Sequence, residues 1–332
     1  MEMIRWGILG CGRIARKFAA DLAFVKDARL IAVAARRLEN AKEFASEFPA
    51  PHVYGSYEEL VSDPEVDVIY IASPHGLHHE HTILCLNHKK AVLCEKAFAI
   101  NLRQAKEMID LAKTNGVFLM EALWSKFLPQ YGKLQELIAA GELGEIKTIR
   151  VDFGFIPQPP VPSRLYDPAL GGGSLLDIGI YNVFLVLAVL GRPDIIEASM
   201  TPTPEGVDEQ CAALFKYKNG AMAQLFSSLS TNMGTDADIG GTKSRIRLTA
   251  RFYAPSATIE IYRGREDTRR IISVQKEEGS GYQYEARHVG DCLRKGLTES
   301  PVMTHADTLL IMDTMDRIRA VAGIHYSADR VR

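Results

Sequence analysis

The chain has 332 residues, 47% of them apolar and 24% charged, with a formal net charge of −2 at pH 7. That length suggests about two domains, at roughly 150 residues each, and the balanced charge gives no reason to expect nucleic acid or an anionic membrane as partner. No apolar run reaches the roughly 18 residues of a membrane span, Val183 to Leu190 being the longest candidate. Cys11, Cys85, Cys94, Cys211 and Cys292 are odd in number and form no C-x-x-C pair. With an N-terminus that opens directly into a strand, they point to a reducing, cytoplasmic setting rather than a secretory one.

Ile4 to Leu9 reads as a short buried strand, followed by Gly10, Gly12 and Ala15 in the spacing G-x-G-x-x-A and then by apolar residues at helical period. Gly10 permits the sharp turn, Gly12 lacks the Cβ that would keep a pyrophosphate away, and Ala15 lets the helix lie close on the strand. The backbone N–H groups of Arg13, Ile14 and Ala15 open that helix and, with its dipole, make an anion site. A tight structural corner uses the same residues, but a second strand, Leu30 to Ala35, follows at βαβ distance.

That strand ends in Arg36-Arg37, where an NAD-preferring site usually carries an acid for the adenosine ribose. A guanidinium fork suits a 2′-phosphate instead, which favours NADP while leaving NAD possible. Two solvated arginines opening the helix from Leu38 to Phe48 fit the same residues. Ser56 to Glu59 reads as a capping box. Val66 to Ala72 is the next strand, ended by Ser73-Pro74, and His75, His78, His79 and His81 then crowd into one segment. With no cysteine pair and no H-E-x-x-H, no metal is expected there. His75 and His78 fall instead where a doubly wound sheet faces its cofactor.

Ala91 to Cys94 is a buried strand ending in Glu95-Lys96, Asn101 with Gln104 caps the following helix, and Val117 to Glu121 is one more strand. Strand–helix alternation from 4 to 121 predicts a Rossmann-type, doubly wound parallel sheet with its site at the carboxyl ends of the strands. The pattern changes near Ala122, so the chain reads as residues 1–122, a dinucleotide-binding domain, and 123–332, an α+β domain on a largely antiparallel open sheet. In the latter, a helix (Gln130 to Ala140) and a strand (Ile146 to Phe153) lead into a Pro-rich loop, Gly171-Gly172-Gly173 and a helix from Ser174 to Leu190. Alternating strands follow around 211–217, 222–229, 244–248 and 258–262, then helices near 283–295 and 306–322. Asp177 and Tyr181 share a helix face, an arrangement that an ordinary polar flank also satisfies.

The glycine turn, Ser73-Pro74, Glu95-Lys96, and Gly171-Gly172-Gly173 before Asp177-x-Gly179-x-Tyr181 together resemble the Gfo/Idh/MocA oxidoreductases over essentially the whole chain. Arg5-Trp6-Gly7-Ile8, Phe118 to Trp124 and Tyr284-Glu285-Ala286-x-His288-Val289 are similar to its dimeric dihydrodiol dehydrogenase and NADP-dependent D-xylose dehydrogenase branch. The resemblance implies an NAD(P)-binding domain, an α/β domain whose open sheet often forms a subunit interface, and hence a homodimer or larger. It carries a catalytic or nicotinamide-positioning role to Lys96, the acid/base role to Tyr181, the substrate-side carboxylate to Asp177 and 2′-phosphate binding to Arg36. The family's E-K-P proline is Ala97 here, which leaves the Lys96 turn less fixed.

The implied reaction is reversible hydride transfer between a carbinol carbon of a sugar, cyclic polyol or trans-dihydrodiol and the nicotinamide. A Lys96 ammonium beside Tyr181 would favour the phenolate that takes the hydroxyl proton, with Trp124 and Arg150 as further pocket-wall candidates. A cofactor-binding regulator without turnover and an NAD-dependent glycoside-processing relative are the other readings open to these residues.

Overall fold

A computed structural model describes residues 2–264 and 268–330. The chain divides into two compact units, Met1–Phe127 with Glu277–Leu309 and Leu128–Lys276 with Leu310–Arg332.

The first unit opens as a strand–helix alternation: β1 Ile4–Leu9, α1 Arg13–Leu22, β2 Ala28–Ala34, α2 Leu38–Glu47, β3 His52–Tyr54, α3 Tyr57–Ser62 and β4 Val68–Ile71. It continues with α4 His78–Asn87, β5 Ala91–Glu95, α5 Leu102–Asn115 and β6 Leu119–Ala122. All strand pairs are parallel, in the order β3-β2-β1-β4-β5-β6. The chain builds outward from β1 to β3, then crosses back to start β4 on β1's other side. The connections on either side of this reversal diverge, which opens a crevice at the carboxyl ends of β1 and β4. Central strands covered on both faces read as unbroken apolar runs, and Val68, Ile69, Tyr70 and Ile71 are fully buried. Phe18 of α1 stacks on Tyr70 with ring centroids 3.8 Å apart. The expected caps form: Ser56 and Glu59 close a capping box on α3, and Asn101 accepts from the Gln104 N–H at the start of α5.

The second unit contains α6 Pro129–Ala139 and β7 Ile146–Gly154, then two 3₁₀ turns, Ser163–Leu165 and Pro168–Leu170. A π-helical turn, Leu175–Gly179, runs directly into α7 Ile180–Leu190. Then come β8 Ile195–Pro202, β9 Asp208–Lys216, β10 Met222–Ser228, β11 Ala237–Gly241, β12 Arg245–Thr249, β13 Thr258–Arg263 and β14 Thr268–Ile272. They form an eight-stranded sheet in the order β14-β13-β12-β11-β7-β10-β9-β8, antiparallel except for the β7–β10 pair. The two edge strands, β8 and β14, are mostly exposed, so neither shows the apolar alternation that marks its neighbours in the sequence. One face of the sheet, with Ile149, Val151, Phe153, Ala223 and Leu225, is buried; Thr148, Arg150, Met222 and Gln224 on the other are exposed.

Two expectations change. The apolar helical stretch is longer than Val183 to Leu190: Pro168–Leu190 spans 23 residues with a mean hydropathy of 2.0 in its most apolar window. By length and composition it would cross a membrane, but 83% of that window is buried in the protein, as in a core helix. The sequence also places everything after 122 in one domain, whereas α8 Tyr282–Arg294 belongs to the first unit. The reason is a cap: the Asp21 carboxylate of α1 accepts from the N–H groups of Ser280 (2.9 Å) and Tyr282 (2.8 Å), satisfying the start of α8. The chain then enters α9 His305–Ala322, whose first residues bind β6 through the His305 ring to the Leu119 carbonyl.

Candidate active site

At the end of β1, Gly10 adopts φ +94°, and a Cβ there would lie 3.2 Å from the carbonyl carbon and oxygen of Ala72. Gly10 is therefore needed for the close approach of the β1 turn to the end of β4. Gly12 differs. It is the N-cap of α1 at φ −86°, and a Cβ there would meet nothing within 4 Å. No side chain caps α1, and no acid stands in its first turn. Ala15 is fully buried against the sheet, while Arg13 is exposed and Ile14 half-buried. An open cradle over an uncapped helix N-terminus fits the pyrophosphate of a dinucleotide. Arg36 and Arg37 follow β2 with exposed side chains, and neither makes an ion pair among the described residues.

Ser73 and Pro74 end β4, half-buried, and His75 beside them is buried. His78 departs from the expected cofactor contact. It is fully buried, with Nδ1 2.8 Å from the Ala97 carbonyl and Nε2 2.8 Å from the Ser73 carbonyl. Its ring ties the loop after β4 to the turn after β5, and no ring nitrogen is left to face a ligand. Burial lowers its pKa to about 4, so a neutral ring donates to only one of those two carbonyls. Among the described residues, no group of three His, Cys, Asp or Glu side chains could hold a metal ion.

Glu95 is the last residue of β5. It accepts from the Tyr70 hydroxyl and, at 3.1 Å, from the Lys96 backbone N–H. The buried carboxylate thus fixes the backbone from which the half-exposed Lys96 projects, and the Lys96–Ala97 peptide is cis. Trp124 is buried, its ring stacked on Tyr282 of α8 at 4.5 Å and 7°. Deeper in the unit, Glu121 accepts from the Thr308 hydroxyl through one oxygen, while the other is buried without a partner. Burial, with Glu95 nearby, raises its carboxyl to about 7. Glu285 of α8 is fully buried with neither oxygen partnered, and burial holds it well above the usual carboxylate range.

In the second unit, Asp177 and Tyr181 lie on successive turns where the π-helical segment passes into α7, and both are buried. Asp177 is held by Arg164, with Nη1 2.9 Å from Oδ1. The Tyr181 ring packs against Tyr253 at 4.6 Å, and Tyr253 stacks on Phe153 at 4.5 Å. Burial raises the Tyr253 phenol, and Asp177 adds to the shift. Arg150 does not join this group. On β7 it occupies the face opposite Phe153 and pairs with Asp238 at 3.0 Å, because side chains alternate along a strand.

Asp208, the first residue of β9, anchors the helix that carries Asp177 and Tyr181. It is fully buried, and Oδ2 accepts from the Ser174 hydroxyl and the Leu175 N–H, both at 2.7 Å. Gly173 makes this possible, since a Cβ there would sit 2.2 Å from Asp208 Oδ1. Arg164, Tyr253 and Asp208 were not singled out from the sequence. Only Asp208 leaves a trace there, as one of two acids just ahead of the apolar run Cys211 to Phe215.

The fold and these residues define an oxidoreductase with a dinucleotide-binding domain. Residues 4–123 match the model of the oxidoreductase family with an NAD-binding Rossmann fold, and residues 131–247 match the Gfo/Idh/MocA C-terminal domain. The chain belongs to the Gfo/Idh/MocA oxidoreductases. It is 38% identical to the trans-1,2-dihydrobenzene-1,2-diol dehydrogenase of Xenopus tropicalis, over 97% of this chain and 99% of that one. A 3-ketoreductase from Actinomadura kijaniata, solved with NADP and TDP-benzene, superposes with a TM-score of 0.87 at 26% identity, covering 97% and 98% of the two chains. An aldose-aldose oxidoreductase from Caulobacter crescentus, solved with glycerol, shares the fold at a TM-score of 0.88 and 24% identity over the same shares.

Glu121 gives this unit a pH signature. Its folded pKa, about 7, lies above the ordinary 4.5, so between those values the native state holds a proton that the unfolded chain has released. Its contribution to stability is complete below the unfolded value and is lost as pH rises through about 7. Relative to the wild type, Glu121→Gln should therefore gain stability with rising pH, by about 3 kcal/mol at most. Urea unfolding across that range measures it, and parallel pH curves for the two proteins would refute it.

Proposed function

We propose that this chain is an NADP-preferring dehydrogenase of a sugar, cyclic polyol or trans-dihydrodiol. The observation that carries the cofactor preference is Arg36-Arg37, exposed at the end of β2 with no acid in the ribose-binding position. The relatives' named activities support the substrate class. The nicotinamide, when bound, supplies the hydride acceptor or donor. The chain's own work is to hold the carbinol and to move its hydroxyl proton. Tyr181 exchanges that proton, the Lys96 ammonium favours the charged form of the phenol, and Asp177 accepts from a substrate hydroxyl. Gly10, Gly12, Arg13, Ile14 and Ala15 hold the pyrophosphate, and Ser73, Pro74 and His75 border the nicotinamide side. Trp124 is proposed as part of the substrate wall. The setting is a reducing cytoplasm, consistent with five free thiols.

Cofactor choice is tested by titrating NADP and NAD into two variants. Arg36→Ala should weaken NADP binding by about 10–100-fold, as expected for loss of a charge-assisted hydrogen bond, and leave NAD nearly unchanged. Gly12→Ala should weaken both, because its methyl group fills the cradle. Equal losses for both cofactors in Arg36→Ala would remove the assignment.

The chemistry is tested by a double-mutant comparison. Tyr181→Phe and Lys96→Met should each depress turnover steeply while NADP still binds. The double variant should be little worse than either, as for residues acting as a unit. Multiplying losses would mean that the two act independently.

Assembly completes the reading. The exposed face of the second unit's sheet, bearing Arg150, Met222 and Gln224, is proposed to pair with a second copy. Sedimentation at micromolar concentration should show a dimer or larger species, and a monomer alone would count against it.

A further inference from the structure

We propose that Arg164 is a specificity-determining residue. Its guanidinium and the Asp177 carboxylate form a donor–acceptor pair that reads two adjacent hydroxyls of the substrate. The inference rests on the reading of Asp177 as a substrate-side residue.

The pair is preorganised by backbone, not by side-chain packing alone. Arg164 sits in the 3₁₀ turn Ser163–Leu165, where the N–H groups of Tyr166 and Asp167 both donate to the Ser163 carbonyl at 3.0 Å. The Gly173 N–H donates to the Leu165 carbonyl at 2.8 Å, and a Cβ on Gly172 would lie only 2.8 Å from that same oxygen. Gly172 and Gly173 lead straight into the helical turn that carries Asp177. The two side chains are thus presented from segments stitched together at their bases, and little conformational freedom remains to be lost when a substrate binds.

The exposures of the two partners differ in a useful way. The Asp177 side chain is 9% exposed and the Arg164 side chain 34%. A guanidinium carries five N–H donors in a fixed fork, and Nη1 is engaged by Asp177. The remaining donors have no partner among the described residues. An arginine present only to neutralise a buried carboxylate would more usually engage it through two donors. Here one bond fixes the fork and leaves donors for a ligand, next to the carboxylate that lies one helical turn before Tyr181. An arginine offers only donors and a carboxylate only acceptors. A vicinal diol answers both, one hydroxyl accepting from Arg164 while its neighbour donates to Asp177. A mono-alcohol brings a single oxygen, which can accept from one and donate to the other only by bridging the pair, and it lacks the second oxygen that would give each group its own partner.

The experiment compares trans-cyclohexane-1,2-diol with cyclohexanol on the NADP-loaded protein, in wild type, Arg164→Met and Arg164→Lys. Two quantities are read: the ratio of kcat/KM for diol over mono-alcohol, and the rise in thermal midpoint that the diol produces. In Arg164→Met the selectivity ratio should fall about 10–100-fold, the scale of one or two charge-assisted hydrogen bonds, chiefly through KM. The diol-induced thermal shift should vanish. Arg164→Lys keeps the charge but not the fork and should fall between. An unchanged ratio with equal losses on both alcohols would overturn the proposal and return Arg164 to a purely structural partner of Asp177. A wild type that neither oxidises nor is stabilised by the diol would overturn it too. If the wild type is stabilised by the diol without oxidising it, and Arg164→Met loses that stabilisation, Arg164 stands and the dehydrogenase reading falls.

Discussion

Backbone N–H groups at the start of a helix have no partner within the helix, and this chain resolves that constraint in three different ways. The start of α8 is capped by Asp21, an acid contributed from far away in sequence. Ahead of α7, the first helical turn is anchored by Asp208 through Ser174 and Leu175. At α1 no side chain is supplied at all. Two of these helix starts receive a carboxylate from within the protein, and the third, at α1, is left open as an anion-binding end. The same electrostatics thus builds the framework of each unit and defines where a dinucleotide belongs.

The arrangement around Lys96 follows a related logic. A lysine on a strand end is useful only if its backbone stays still, and three buried groups see to that. Glu95 holds the Lys96 N–H, Tyr70 holds Glu95, and the His78 ring sits between the Ala97 and Ser73 carbonyls and donates to one of them. The residue after the lysine is alanine, and these hydrogen bonds anchor the turn. They also show why His78, expected to face the cofactor, instead has a structural place: it opens α4, and both its ring nitrogens face backbone carbonyls.

What could be read from the sequence was whatever is encoded within a few residues. The glycine turn is legible because each of its residues has a local steric duty, and so are the Arg36-Arg37 strand end, the Ser56 and Asn101 caps, and the alternation that separates a parallel sheet from a largely antiparallel one. Interactions joining distant segments were not legible. Asp177 meets Arg164 across a proline-framed loop, Asp208 reaches back 34 residues to Ser174, and Asp21 meets Ser280 across 259. Arg150 was misplaced for a different reason. Its strand was identified, but which face of that strand meets α7 depends on packing against β10, and a single position separates Arg150 from the buried set.

The cap that Asp21 provides has a further meaning for how the molecule is made. The first unit is discontinuous: its parallel sheet is complete by Ala122, yet the helix whose N-terminus Asp21 satisfies begins only at Tyr282. During synthesis the sheet therefore leaves the ribosome with a buried-to-be carboxylate still in water, and all of β7 to β14 must be translated before that acid finds its partner. The second unit is interrupted likewise, since Leu310–Arg332 belongs to it. Neither unit can be finished by a nascent chain until most of the other has been made, so the maturation of the cofactor domain is tied to the arrival of α8.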